Sequence, residues 1–431
     1  MACSPKSYTD WIFLQPIRGS WETINTYGGS KEDIAHGVSV TSDGGFVVIG
    51  NTKSTDGNFL IKDKAGSDIF LMKFSASNSL EWTQVYGGSR DDRGYDVVQL
   101  LDEGFALVGY SKSDDRDASV NQGQHDNWVI RTDSKGLLLW QKSFGFLGHD
   151  HAYSITSTSD GGLFFNGFLD VTASDGQGQD GKRNYLTKKH GVGEFWCHKL
   201  DRNGNLQWRR YFGGTSNDRS YDAIETNKGD FILTGSSESQ DIDISNPKGG
   251  YDIWVVKIDA SGALLWETSI GGSGYDNGNA IIETQNGNFL IAGQTFSKDK
   301  DITNPLGSSD GILVWLSPEG ILMRVQNIGK SEFDVLKDIV QRPDGTLLAV
   351  GHSSSIENEN SPLDNDVTLY YTLSNGSLIS SHQLGGDGLD QGEAIAVNSK
   401  GSVIVVGSTD SRSGQFPNSK GGKDLFVAIW N

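Results

Sequence analysis

Seven apolar runs in this chain close on a glycine at a nearly constant interval. They are FVVIG at Gly50, FALVG at Gly109, LFFNG at Gly167, FILTG at Gly235, FLIAG at Gly293, LLAVG at Gly351 and VIVVG at Gly407. The intervals are 59, 58, 68, 58, 58 and 56 residues, so one insertion falls between the third and fourth glycines. A fixed period of this kind restricts a chain to stacked or ring-closed supersecondary units. Each unit spells four short strands, a to d. Strand a follows an aspartate, as in DAIETN, and a glycine turn leads to b, the apolar run. A longer loop leads to c, as in DIWVVKID, and a second glycine turn leads to d. Strand d carries Trp82, Trp140, Trp208 or Trp266 and ends at Gly-Gly. Glycine supplies the positive φ that tight hairpin turns require. The continuous apolar run marks b as a strand buried on both faces. Seven such units predict an all-β, seven-bladed β-propeller of four-stranded antiparallel blades. The competing architecture is a linear solenoid with end strands that need polar caps.

The ends of the chain bear on that choice. The seventh unit stops after strand c, DLFVAIW, at Asn431. Residues 20–29, with WETINTYGG, match WTQVYGG of 82–88 at the Tyr-Gly-Gly. Trp21 stands two residues before the tryptophan of the repeat, a shift that keeps a side chain on the same face of a strand. The segment at about 20–29 is therefore expected to serve as strand d of the last blade, at about 390–431. Such a ring has no bare edge between its first and last units. This gives a tether over 1–19 and one propeller domain over 20–431, with no Pro- or Ser-rich linker dividing it.

The chain has 431 residues and a net charge of −19, from 36 basic and 55 acidic side chains. That balance argues against nucleic acid and anionic surfaces as partners. It suits cationic partners, divalent cations or neutral glycans, and it also suits plain solubility. No run of 18 apolar residues is present, so no transmembrane helix is expected. Of the two cysteines, Cys197 in strand c is expected to be a buried free thiol. The start, MACSPKSYTD, resembles the mature end of a bacterial lipoprotein, where a small residue precedes a lipidated cysteine and a polar tether follows. Cys3 is then a lipid anchor and the protein's only membrane contact. The other reading is an ordinary start with an incidental cysteine.

The unit also resembles the bacterial propeller repeat known as the SBBP repeat. The matching residues are Y-G-G-S…D at 27–33, T-S-D-G-G-F-V-V-x-G at 41–50 and D-I-W-V-V-K-I-D-x-S-G-x-L-L-W at 252–266. The likeness extends from about Trp21 to Trp430. It implies a propeller in a secreted or surface-exposed bacterial protein, lipid-anchored at the outer membrane or cell surface, and it brings no catalytic residues with it. Strand d is similar to quinoprotein propeller repeats as well. That family implies eight blades and an axial cofactor, which seven units do not fit.

Two acidic positions recur. The first is Asp33, Asp92, Asp150, Asp218, Asp276, Asp334 and Asp390. The second is Asp68, Asp126, Glu194, Asp252, Asp310, Asp366 and Asp424. Both belong to the d-to-a and b-to-c loops, which share one face of a propeller. The functional reading of the first set is a cation-binding ring at the channel mouth. The structural reading is an aspartate that fixes the same turn in every blade by accepting loop amides. The b-to-c loops are rich in Asp, Asn and Ser, as in QDIDISNP at 240–247, and such oxygen spacing can hold calcium. No motif for another cofactor is present. Blade 3 departs most from the repeat. Its d-to-a loop carries His149, Asp150 and His151. Its b-to-c loop is ten residues longer than the typical one and contains Lys182, Arg183, Tyr185, Lys188, Lys189 and His190, with His198 following in strand c.

Two functions from different classes follow. One is a non-enzymatic surface protein that uses its loop-rich face to bind a glycan or an outer-membrane protein complex. The other is a carbohydrate-active enzyme, a polysaccharide lyase or hydrolase. Its base and charge neutraliser would come from His149, His151, Tyr185, Lys188 or His190.

Overall fold

The computed structural model describes residues 19–60, 66–179, 190–330, 332–355 and 364–431. Its strands form seven four-stranded antiparallel sheets, the blades of a closed propeller. Six blades take their strands in chain order. The seventh is closed by β1 (Trp21–Tyr27), which pairs with β28 (Asp424–Trp430). The register runs from Trp21 against Trp430 to Tyr27 against Leu425. Backbone hydrogen bonds between Ser20 and Asn431 extend it, and the Trp21 and Trp430 rings meet edge to face at 5.2 Å. Trp21 opposes Trp430 as Leu80 opposes Phe74 in the first blade, and Thr23 takes the place of Trp82. The two-residue offset is thus an exchange of a tryptophan into the leucine position of the repeat.

Strands b and c are buried along their whole length in most blades, as in Phe46–Thr52 and Asp68–Phe74. Their side chains fill the space between neighbouring sheets, and this burial is the main source of stability. Strand a lies innermost and lines the axis, and strand d lies at the rim. The glycine that closes each apolar run lies inside strand b, which continues past it, and it has a steric cause. Strand a is bulged beside it, as between Gly94 and Asp96, and the bulge turns a carbonyl toward strand b. A Cβ on Gly109 would lie 1.8 Å from the Arg93 carbonyl oxygen, and Gly235 and Gly407 meet the same obstacle at Arg219 and Gln391. No side chain fits there.

The d-to-a and b-to-c loops do share one face. Among the described residues they touch across six of the seven blade boundaries through single parallel bridges, such as His125 with His149 and Tyr251 with Tyr275. The tight glycine turns lie on the opposite face.

Candidate functional site

The first recurring aspartates lie within one residue of the start of strand a, and all seven are buried. Each accepts a hydrogen bond from the N–H four residues earlier: Gly29 to Asp33, Gly88 to Asp92, Phe146 to Asp150, Gly214 to Asp218, Gly272 to Asp276, Lys330 to Asp334 and Gly386 to Asp390. Hydroxyls at the end of strand b complete most of these shells, such as Ser54 and Ser113 at 2.8 Å. None of the seven lines the axial cavity. Burial raises the carboxyl of Asp150 to about 7 and that of Asp390 to about 6. The acidic b-to-c loops are engaged in a similar way. Asp56, Asp115, Asp241 and Asp299 accept N–H groups of the facing d-to-a loop at 2.7–2.9 Å. These carboxylates bind the two loops of one face together.

The residues that follow the first aspartate distinguish the blades. Blades 2, 3 and 4 read Asp92-Arg93-Gly94-Tyr95, Asp150-His151-Ala152-Tyr153 and Asp218-Arg219-Ser220-Tyr221. Strand a is bulged at the third place after the aspartate, and Tyr95, Tyr153 and Tyr221 at that place line the axial cavity. Three tyrosines therefore form an arc on the axial wall, with an arginine, a histidine and an arginine at the loop end of the same strands. The ring centroids of Tyr95 and Tyr153 are 4.9 Å apart, and those of Tyr153 and Tyr221 are 5.4 Å apart. Arg93 lies over Tyr110 at 5.9 Å, and Arg219 lies over Phe168 at 4.8 Å. The tyrosines line an axial cavity of about 540 Å³, which is also lined by His36, packed on Tyr95 at 5.0 Å, and by Lys337 and Glu393. Lys337 and Glu393 form an ion pair at 3.4 Å.

His151 sits at the centre of the arc. Its ring stacks on Tyr110 at 4.2 Å, and its Nδ1 is 3.4 Å from the Tyr153 hydroxyl. Its Nε2 is 3.0 Å from Nδ1 of His125, and Nδ1 of His149 is 2.7 Å from the same atom. These three histidines are the group of potential metal ligands found among the described residues. Burial, then the neighbouring imidazoles, Arg219 and Arg93, hold the His151 pKa down to about 2. Burial, then His149, holds that of His125 down to about 4. Both rings are neutral at ordinary pH. Burial raises the Tyr153 phenol well above its usual value, so it keeps its proton.

Of the candidates named from the sequence, His149 and His151 converge, and they do so on His125 of blade 2. His190 goes elsewhere: it packs on Tyr211 and faces Glu194 at 3.2 Å. Tyr185, Lys188 and Cys3 lie outside the described residues, as do Lys182, Arg183 and Lys189. His198 is fully buried and stacks on Phe165 at 4.3 Å. Sequence reasoning missed His125, Arg93, Arg219 and the three tyrosines. The D-[RH]-x-Y triplet at a fixed offset from the recurring aspartate was the available signal.

No family model matches the chain, and no curated protein matches it. Solved structures similar to it include an ulvan lyase of a polysaccharide lyase family, at 9% identity, 94% coverage of each chain and a TM-score of 0.48. Others are the Pan2 WD40 domain of Neurospora crassa and an α-L-arabinofuranosidase of Fusarium graminearum. The first has 12% identity, 96% coverage of this chain and 94% of that one, and a TM-score of 0.34. The second has 11% identity, 64% and 91% coverage, and a TM-score of 0.35. At these values the likeness concerns the fold alone.

Proposed function

We propose that the loop-rich face binds an acidic polysaccharide across the arc of blades 2 to 4. One observation carries this reading: Arg93 and Arg219 flank His151 at the loop end of the strands whose Tyr95, Tyr153 and Tyr221 line the axial cavity. A guanidinium presents planar paired donors that match carboxylate and sulfate groups. Aromatic faces receive the apolar faces of sugar rings, and convergent polar groups fix their orientation. The two guanidinium groups, in a chain of net charge −19, select an anionic ligand locally where the whole molecule would repel it. The test is binding to a polyuronate and to neutral dextran by affinity electrophoresis. Arg93→Ala and Arg219→Ala should each weaken polyuronate binding by about tenfold or more, since a hydrogen bond to a charged group contributes about 1.5–3 kcal/mol. Equal retention of both polymers, or no effect of either variant, would overturn the proposal.

A second reading, eliminative cleavage of that polysaccharide, is favoured by the 3.4 Å approach of Tyr153 to His151 beside the two arginines. Elimination removes the proton next to the uronate carboxylate, forms a carbon–carbon double bond and breaks the bond to the neighbouring sugar, whose oxygen gains a proton. An arginine on the carboxylate stabilises the charge that develops. Unsaturated product absorbing in the ultraviolet supports this reading. Binding without such product leaves the protein as a lectin-like module.

A further inference from the structure

We infer that His125, His149 and His151 form a binding site for one divalent transition metal ion of the zinc class. The site lies at the boundary of blades 2 and 3, and three separate backbone elements build it. His125 ends the b-to-c loop of blade 2. His149 lies in the d-to-a loop between the blades. His151 opens strand a of blade 3. The parallel bridge between His125 and His149 fixes the two loops, so the trio does not depend on chance side-chain placement.

The nitrogen geometry asks for a cation. An imidazole nitrogen carries either one proton or one in-plane lone pair. Nδ1 of His125 has two nitrogen neighbours, at 2.7 and 3.0 Å, so a single proton or lone pair has to serve both. A metal ion between the three nitrogens turns every lone pair inward and removes the conflict. Nitrogen ligands about 2.0–2.1 Å from a tetrahedral zinc stand about 3.4 Å from one another. The three nitrogens here all lie within 4.8 Å of one another, so small side-chain rotations reach that geometry.

The donor set also selects the ion. Three imidazoles with no carboxylate suit zinc, copper, nickel or cobalt, whereas calcium and magnesium require oxygen ligands. Three protein ligands leave a fourth position open for water or an anionic group. His149 is solvent-exposed, which gives the ion a route in. With Nε2 of His151 on the metal, the proton of that ring resides on Nδ1 and points toward the Tyr153 hydroxyl, 3.4 Å away. A second contact of this kind orients a ligating histidine.

The test uses the full chain after dialysis against a chelator. Zinc titrated calorimetrically should bind at one ion per chain and raise the melting temperature. Cobalt in place of zinc should give the visible absorption of a low-coordinate nitrogen site, and calcium should not compete. His149→Ala changes an exposed side chain, so its melting curve in chelator should match that of the parent. Its zinc affinity should fall at least about tenfold, and His125→Ala should abolish both binding and the cobalt spectrum. The inference is overturned if the parent binds no zinc at micromolar free metal, or if both variants bind it as the parent does. Neither result bears on polysaccharide binding by the arginines, which is measured separately.

Discussion

At the scale of single residues, the most distinctive side chain outside the site is His198. It is fully buried, stacked on Phe165 and set against Trp196 at 4.1 Å, and neither ring nitrogen has a hydrogen-bond partner. Burial, then Arg209, depresses its pKa well below 6.5. The unfolded chain therefore binds a proton near pH 6.5 that the folded chain refuses, and stability falls as pH drops below that value. The loss from this one group reaches about 1.4 kcal/mol one pH unit below the unfolded pKa. His198→Phe keeps the stacking and removes the titration. Its melting temperature should fall less than that of the parent between neutral and mildly acid buffer, as followed by circular dichroism. A sequence shows that such a histidine exists, but not that it packs among Phe144, Phe165 and Trp196. The metal-capable trio has a similar limit. His149 and His151 were visible as departures from the repeat. His125 joins them only through the lateral register of two loops in different blades, which no local pattern records. The Arg-His-Arg arc was legible in principle, because its members share one offset from an aspartate that recurs in every unit.

At the scale of the element, the glycine turns and the tryptophans of strand d act as a pair. Gly262 has φ of +80°, and a Cβ there would lie 3.0 Å from ring atoms of Trp208 in the preceding blade. Gly136 and Gly204 meet Trp82 and Trp140 in the same manner. The Trp208 indole N–H donates to the Ala260 carbonyl at 3.1 Å, which fixes the ring over the turn. Gly262→Ala combines a left-handed backbone with a steric conflict and should cost about 2 kcal/mol. A denaturant melt with an unchanged m-value would show it. Strand order, turn positions and the apolar b strands were all readable, because each rests on local chemistry that repeats seven times. The reason for the strand b glycine was not readable, since the obstacle is a carbonyl on a neighbouring strand.

At the scale of the whole molecule, closure depends on one seven-residue strand. Removing residues 1–29 would bare the backbone of β28 and uncover Trp430, which is 4% exposed in the closed ring. An open edge of this kind pairs with other chains. The truncated protein should aggregate, as judged by size-exclusion chromatography. A soluble monomer with native circular dichroism would contradict a closure-dependent fold. This feature was legible because the Tyr-Gly-Gly at 27–29 repeats the end of strand d at 86–88.

The backbone joint of Ser20 with Asn431 has a geometric corollary. Strand β1 starts and β28 finishes on the side of the tight turns, opposite the histidines and the tyrosine arc. The two ends of the described ring therefore meet on the face opposite the one that carries the histidines.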